Sequence, residues 1–66
     1  MFVFHLRDHV KDIYTSFEGT VTGRCEYATG ESTYLIESVD TTGRPIAEWY
    51  NEARLMGVDD ETENRV

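Results

Sequence analysis

Cysteine is nearly absent from this chain, and its scarcity limits how a protein of 66 residues can be stabilised. The one cysteine, Cys25, cannot form a disulfide within the chain. A chain of this length buries a small core and usually needs a disulfide, a metal or a partner for stability. A lone cysteine is also typical of a reducing compartment, so the sequence predicts a cytoplasmic protein.

Long apolar runs are missing as well. No stretch of about 18 apolar residues occurs, which predicts that the chain has no transmembrane helix. Residues 1–7 lack a basic region followed by a long apolar stretch, so we expect no signal peptide. With these devices excluded, we expect self-association to stabilise so small a domain.

Basic residues are few: six lysines and arginines stand against 13 acids, which gives a formal net charge of −7. The composition predicts one folded domain over residues 1–57 and an acidic, disordered tail over residues 58–66. The charge balance argues against direct nucleic-acid binding, which depends on basic side chains that neutralise phosphates. The same negative charge is compatible with an acidic surface that imitates nucleic acid.

Alternating apolar and polar residues predict an all-β domain of about five short antiparallel strands. Turn-forming residues separate the strands, with Gly30 and Gly43 at positions that allow a positive φ. Residues 52–56 predict a short helical turn or a short strand, ended by Gly57. The predicted strands cover residues 2–7, 10–13, 19–27, 32–39 and 46–51.

The central predicted strand contains a glycine, Gly23, where a side chain would otherwise pack. Such a glycine marks a bulge, a sharp bend or the close approach of another chain. The alternation places Val21, Gly23, Cys25 and Tyr27 on one face of this strand. An inward-facing Cys25 is then expected to be a small buried hydrophobic residue.

The next two predicted strands are apolar on both faces. Tyr34 alternates with Leu35, and Tyr50 alternates with Trp49, so each face of this hairpin carries large apolar side chains. A small barrel has one interior and can cover one face only. We therefore expect a second copy to cover the other face, as in a homo-oligomer.

Several short motifs resemble those of small, uncharacterised proteins encoded by phages and prophages. They are FEGTVTGR at residues 17–24, GRPI at residues 43–46 and WYNEARL at residues 49–55. Those proteins are similar to Src-homology-3-like or KOW-like β-barrels. The resemblance implies a viral or mobile-element source, a small barrel and no enzyme activity.

The residue pattern predicts neither catalysis nor a metal site. His5 and His9 lie in a stretch predicted to be extended, which separates them, and zinc needs four ligands. The sequence places no base beside Cys25, and the serines lack a nucleophile motif. We therefore predict a protein that is not an enzyme and that uses no metal or cofactor.

Two arginines stand out in this acidic chain because both flank bends that contain glycine. Arg24 follows Gly23, and Arg44 follows Gly43. One interpretation is a structural ion pair with a nearby glutamate, such as Glu26 or Glu48. The other is recognition of a phosphate or carboxylate ligand, which the planar guanidinium group suits.

Three aromatic residues complete the predicted ligand-binding set. Tyr27 and Tyr34 are expected to line the same mouth as the two arginines. Trp49 has two interpretations: a core residue near Leu55 and Phe17, or a platform on which a base or peptide stacks.

The sequence therefore favours a non-catalytic binding protein of phage or prophage origin that acts as a homo-oligomer in the host cytoplasm. It would sequester either a small anionic host ligand, such as a nucleotide defence signal, or a host protein. The alternative is an acidic mimic of nucleic acid that inhibits a host DNA- or RNA-binding protein. Neither hypothesis involves direct nucleic-acid binding or a membrane.

Overall fold

Five antiparallel strands form a single sheet in the computed structural model, which describes residues 2–58. The order of the strands across the sheet is β4-β3-β2-β1-β5. One 3-10 turn, Glu52–Arg54, joins the last two strands. The strands are β1 at His9–Asp12, β2 at Glu18–Glu26, β3 at Ser32–Val39, β4 at Pro45–Asn51 and β5 at Leu55–Gly57.

The sheet is open, with β4 and β5 as its two edges. The predicted all-β class, the number of antiparallel strands and the helical turn near the C-terminus are confirmed, although β5 was not among the five predicted strands. The predicted closed barrel is not confirmed, because no strand pairing joins β4 to β5. The predicted tail lies outside the described residues except for Val58, whose backbone N–H donates to the carbonyl of His9.

Both predicted hairpin turns are confirmed. Gly30 and Gly43 adopt φ values of 94° and 87°, in the left-handed region that glycine enters at little cost. In the second turn, the Asp40 carboxylate accepts hydrogen bonds from the backbone N–H groups of Thr42 and Arg44. These bonds, together with the Thr42 hydroxyl, lower the pKa of Asp40 below its ordinary value.

A β-bulge interrupts β2, as the position of Gly23 predicted. Val21 is opposite Ile36, but Gly23 is opposite Leu35, so one extra residue lies between them in β2. The bulge reverses the alternation, and Gly23 and Cys25 face away from Val21. The prediction that these residues share one face is therefore wrong, because a bulge changes which side each later residue occupies.

The core lies on one face of the sheet, which we call the inner face. Apolar side chains from four of the five strands meet there, and partly buried aromatic residues pack around them. Burying an aliphatic side chain of this size contributes about 1.5–3 kcal/mol, so a core this small depends on its surroundings. The buried members are Val10, Val21, Tyr34, Ile36 and Leu55; the partly buried ones are Phe2, Phe4, Phe17 and Tyr50.

Residues 2–8 contain no strand, so the predicted first strand is wrong. The backbone turns near Arg7, whose φ is 82°, and Asp8 donates its N–H to the carbonyl of His5. The backbone N–H groups of Val3 and Phe4 donate to the Tyr34 hydroxyl instead of to a neighbouring strand. The apolar alternation here therefore reflects packing of a loop on the core rather than strand pairing.

An ion pair between a buried carboxylate and a partly exposed guanidinium lies beside this core. The Asp12 side chain is fully buried and accepts bonds from Nε and Nη2 of Arg54 at 2.8 and 2.9 Å. Thr15 adds its backbone N–H and its hydroxyl. The Arg54 bonds are the largest cause that lowers the pKa of Asp12 to about 2, against the opposing effect of burial. The pair joins β1 to the 3-10 turn.

Candidate binding surface on the outer face of the sheet

The candidate functional site is the sheet surface that faces away from the core, which we call the outer face. Strands β2, β3 and β4 form it, and its side chains alternate with the buried ones. At its centre the register places Leu35 between Gly23 on one side and Trp49 on the other. The Trp49 side chain is 55% exposed, although tryptophan is the largest apolar side chain.

The indole of Trp49 reaches across Leu35 toward the neighbouring strand β2. A Cβ atom added to Gly23 would lie 3.3 Å from Cβ of Leu35 and 3.6 Å from Cη2 of Trp49. A larger side chain at this position would therefore meet the indole. With no side chain at Gly23, Leu35 and the half-exposed indole form a contiguous apolar surface.

An acid borders this apolar surface. Glu37 follows Leu35 by two residues, so both side chains project from the outer face. The Thr22 hydroxyl donates to Oε2 of Glu37 at 3.1 Å, which orients the carboxylate. Glu37 and Trp49 are diagonal neighbours on adjacent strands, a relation that separates Cα atoms by about 7–8 Å. The outer face therefore combines an aromatic ring with an oriented negative charge.

The structure distributes the five predicted ligand-binding residues over several regions. Tyr34 and Arg24 are opposite each other in the β2–β3 ladder and contact the N-terminal segment. Tyr27 and Arg44 are exposed but belong to hairpin turns at opposite ends of β3. Trp49 lies on the outer face. No single mouth is formed by all five.

Arg24 contacts the N-terminal segment in two ways. Its Nη1 donates to the carbonyl of Phe4 at 3.2 Å, and its guanidinium lies 4.4 Å from the centre of the Phe2 ring. The second contact is a cation–π interaction, which is worth roughly 0.5–1 kcal/mol where it is exposed. These contacts give Arg24 a structural role that neither sequence interpretation included.

Tyr34 is fully buried, and its hydroxyl is the centre of a small polar network. The hydroxyl accepts the N–H groups of Val3 and Phe4 and donates to the carboxylate of Glu52. Burial, followed by the bond to Glu52, raises the pKa of Tyr34 above its ordinary value of 10.0. Tyr34 therefore anchors the N-terminal segment to the sheet.

Sequence reasoning did not identify Glu37 or Glu52 as important residues. The signal for Glu37 was its spacing of two from Leu35, which puts both on one face of a strand. The role of Glu52 depends on tertiary contacts with residues 3 and 34, which no local pattern reveals. The interpretation of Trp49 as a core residue near Leu55 and Phe17 is wrong, because its side chain projects from the outer face.

A shallow recess of about 250 Å³ lies where β3 begins and β4 ends. Its lining includes the acids Glu31 and Glu52 and the amide of Asn51. Within residues 2–58, no group of three or more histidine, cysteine, aspartate or glutamate side chains is arranged to hold a metal ion. The same part of the chain contains no helix of the length and apolarity that a membrane span requires.

No protein-family model matches this chain, and searches among curated proteins and solved structures returned no significant match.

Proposed function

We propose that this chain is a non-catalytic binding protein of phage or prophage origin that sequesters a host protein on its outer face. One observation carries the proposal: a half-exposed Trp49 lies beside Leu35 on a face that the rest of the described chain does not cover. Tryptophan is among the residues that dominate binding energy at protein interfaces. The apolar surface beside Gly23 offers a partner the exposed half of this indole.

The small-barrel resemblance remains part of this proposal. The five antiparallel strands and the 3-10 turn before β5 support it, and the open sheet limits it to those features. A source in a phage or prophage rests on the motifs at residues 17–24, 43–46 and 49–55.

Self-association is a second part of the proposal, at the β5 edge of the sheet. Ile13, Tyr14 and Met56 are exposed there, and Met56 is opposite Lys11 on β1. A domain of this size gains from burying such residues against a copy of itself. Strands β5 and β4 are opposite edges of the sheet, so a homo-oligomer formed at β5 would leave Trp49 on β4 available in each copy.

The solution mass tests self-association. We expect sedimentation at micromolar concentration to give at least twice the 7.6 kDa of one chain. Met56→Glu should shift the population toward the monomer, because it adds charge to the contact. Val39→Glu makes the same change at an exposed residue of β3 and should leave the mass unchanged. A wild-type mass of one chain at every concentration would remove self-association from the proposal.

The distribution of charge favours one second candidate, an acidic mimic of nucleic acid that inhibits a host DNA- or RNA-binding protein. The chain carries a net charge of −7, and two of its six bases, Arg24 and Arg54, make contacts within the fold. The partner of such a mimic would be basic. Its complex would weaken steeply as salt concentration rises, because ions screen the attraction between charges.

A further inference from the structure

We propose that the outer face recognises an arginine side chain of a basic partner protein, with the guanidinium stacked on Trp49 and paired with Glu37. The inference rests on the proposed function, because it names the chemistry of the partner at the same face. The same residues would also explain how an acidic mimic could imitate nucleic acid. The aromatic ring takes the place of a stacked base, and the carboxylate takes the place of a phosphate.

The geometry of the outer face fits a guanidinium. A cation within about 6 Å of the centre of an indole ring is attracted by the electrons of the ring face. Glu37 is the diagonal neighbour of Trp49, so the carboxylate and the indole project from neighbouring positions of the outer face. Thr22 holds this carboxylate through Oε2. An oriented carboxylate on the same face as a half-exposed indole matches the planar, charged side chain of arginine.

Arginine fits this face better than lysine. Its guanidinium stacks flat on a ring while its N–H groups bond a carboxylate in the same plane, whereas the ammonium of lysine is a compact point charge. On its inner side the chain itself places a guanidinium near a ring twice, and in one of the two cases the guanidinium also bonds a carboxylate. Arg24 lies 4.4 Å from the centre of the Phe2 ring, and Arg54 lies 5.3 Å from the centre of the Tyr50 ring while it bonds Asp12.

Charge decides between a basic partner and other occupants of the face. A second copy placed face to face would bring two Glu37 carboxylates and two chains of net charge −7 together. A nucleic acid would add phosphates to an acidic surface. A basic protein gains attraction from both the local acid and the overall charge, and so binds faster as well as more tightly.

The test uses three short peptides with the same spacer residues, which carry arginine, lysine or glutamine at matched positions. Each peptide has a fluorescent label, and its anisotropy reports binding to the full chain. Trp49 is the only tryptophan, so its emission reports independently whether the outer face is occupied. We expect the arginine peptide to bind best, to change the emission of Trp49, and to dissociate as salt rises.

Two variants with a matched control locate the site. We expect Glu37→Gln to weaken binding of the arginine peptide by about threefold, and Trp49→Leu by about fivefold. Glu48→Gln makes the same charge change beside Trp49, but Glu48 is opposite Ile36 and projects from the other side of the sheet. This control should bind the peptide as the wild type does.

Each outcome separates the inference from the function that it rests on. Equal binding of the arginine and lysine peptides, or equal effects of Glu37→Gln and Glu48→Gln, would overturn recognition of arginine and leave the outer face as a binding surface. Preferential binding of the glutamine peptide would do the same. A Trp49 emission that no peptide changes would overturn recognition of arginine, whereas a captured host protein that leaves this emission unchanged would contradict the proposed function.

Discussion

Replacing Gly19 by alanine is expected to remove most of the free energy of unfolding of this domain. Gly19 is buried in β2, and an added Cβ atom would overlap the carbonyl oxygen of Glu37 and lie 2.9 Å from its carbonyl carbon. The clash is with backbone atoms of β3, which cannot move without breaking the ladder. Overpacking costs about 1–3 kcal/mol or more, and a core this small supplies about 3–5 kcal/mol.

Gly23→Ala is the matched control for this prediction. Its added Cβ would lie 3.3 Å from a side-chain atom of Leu35, which can shift by a few tenths of an ångström. Alanine also lowers the entropy of the unfolded chain, which offsets part of any cost. We expect urea unfolding followed by circular dichroism to show a small change for Gly23→Ala and a large loss for Gly19→Ala. Equal midpoints for the two variants would contradict the close approach of β2 and β3.

Asp12→Asn is expected to lower the thermal midpoint by about 10 °C or more at neutral pH. The amide would keep the shape of the side chain but present an N–H₂ group toward donors of Arg54 and Thr15. Arg54 would also lose the charge that pairs with it. Glu48→Gln removes the same charge at an exposed strand position and should shift the midpoint by a few degrees at most. A small shift for Asp12→Asn would show that the ion pair contributes little.

The stability of the wild-type protein at low pH should also report the ion pair between Asp12 and Arg54. The pKa of Asp12 is about 2 in the folded chain, below its ordinary value of 3.8. Its contribution to stability is therefore complete above pH 3.8 and declines as the pH falls toward about 2. Asp40 contributes in the same direction, because its pKa is also lowered. The Asp12→Asn variant should keep only the acid-induced loss of stability that is due to Asp40. Its stability should therefore fall less steeply than that of the wild type across this pH range.

Much of the fold follows from local signals in the sequence. The glycines at positions 30 and 43 mark turns because they allow a positive φ, and the bulge at Gly23 follows from a missing side chain within a strand. The faces of β2 could not be predicted, because one extra residue reverses every later position. The predicted first strand failed because Tyr34, 30 residues away, satisfies the backbone of Phe4.

The candidate site was predicted in part. Trp49 was identified as a possible stacking platform, but the apolar pattern of β4 could not tell which face would be covered. Arg24 seemed suited to a ligand because an arginine beside a glycine bend gives no sign of what its side chain contacts. The bulge places it opposite Tyr34, near the N-terminal segment. The role of Glu37 could not be predicted, because it depends on the strand register that makes Glu37 a diagonal neighbour of Trp49.

The emission of Trp49 tests most directly whether the outer face is uncovered. Because the chain has a single tryptophan, its spectrum and its quenching by acrylamide report on this one position. The account predicts the emission of a partly exposed indole, quenching by acrylamide, and no change with protein concentration. A blue-shifted emission that acrylamide cannot reach, in a folded and dilute sample, would contradict it.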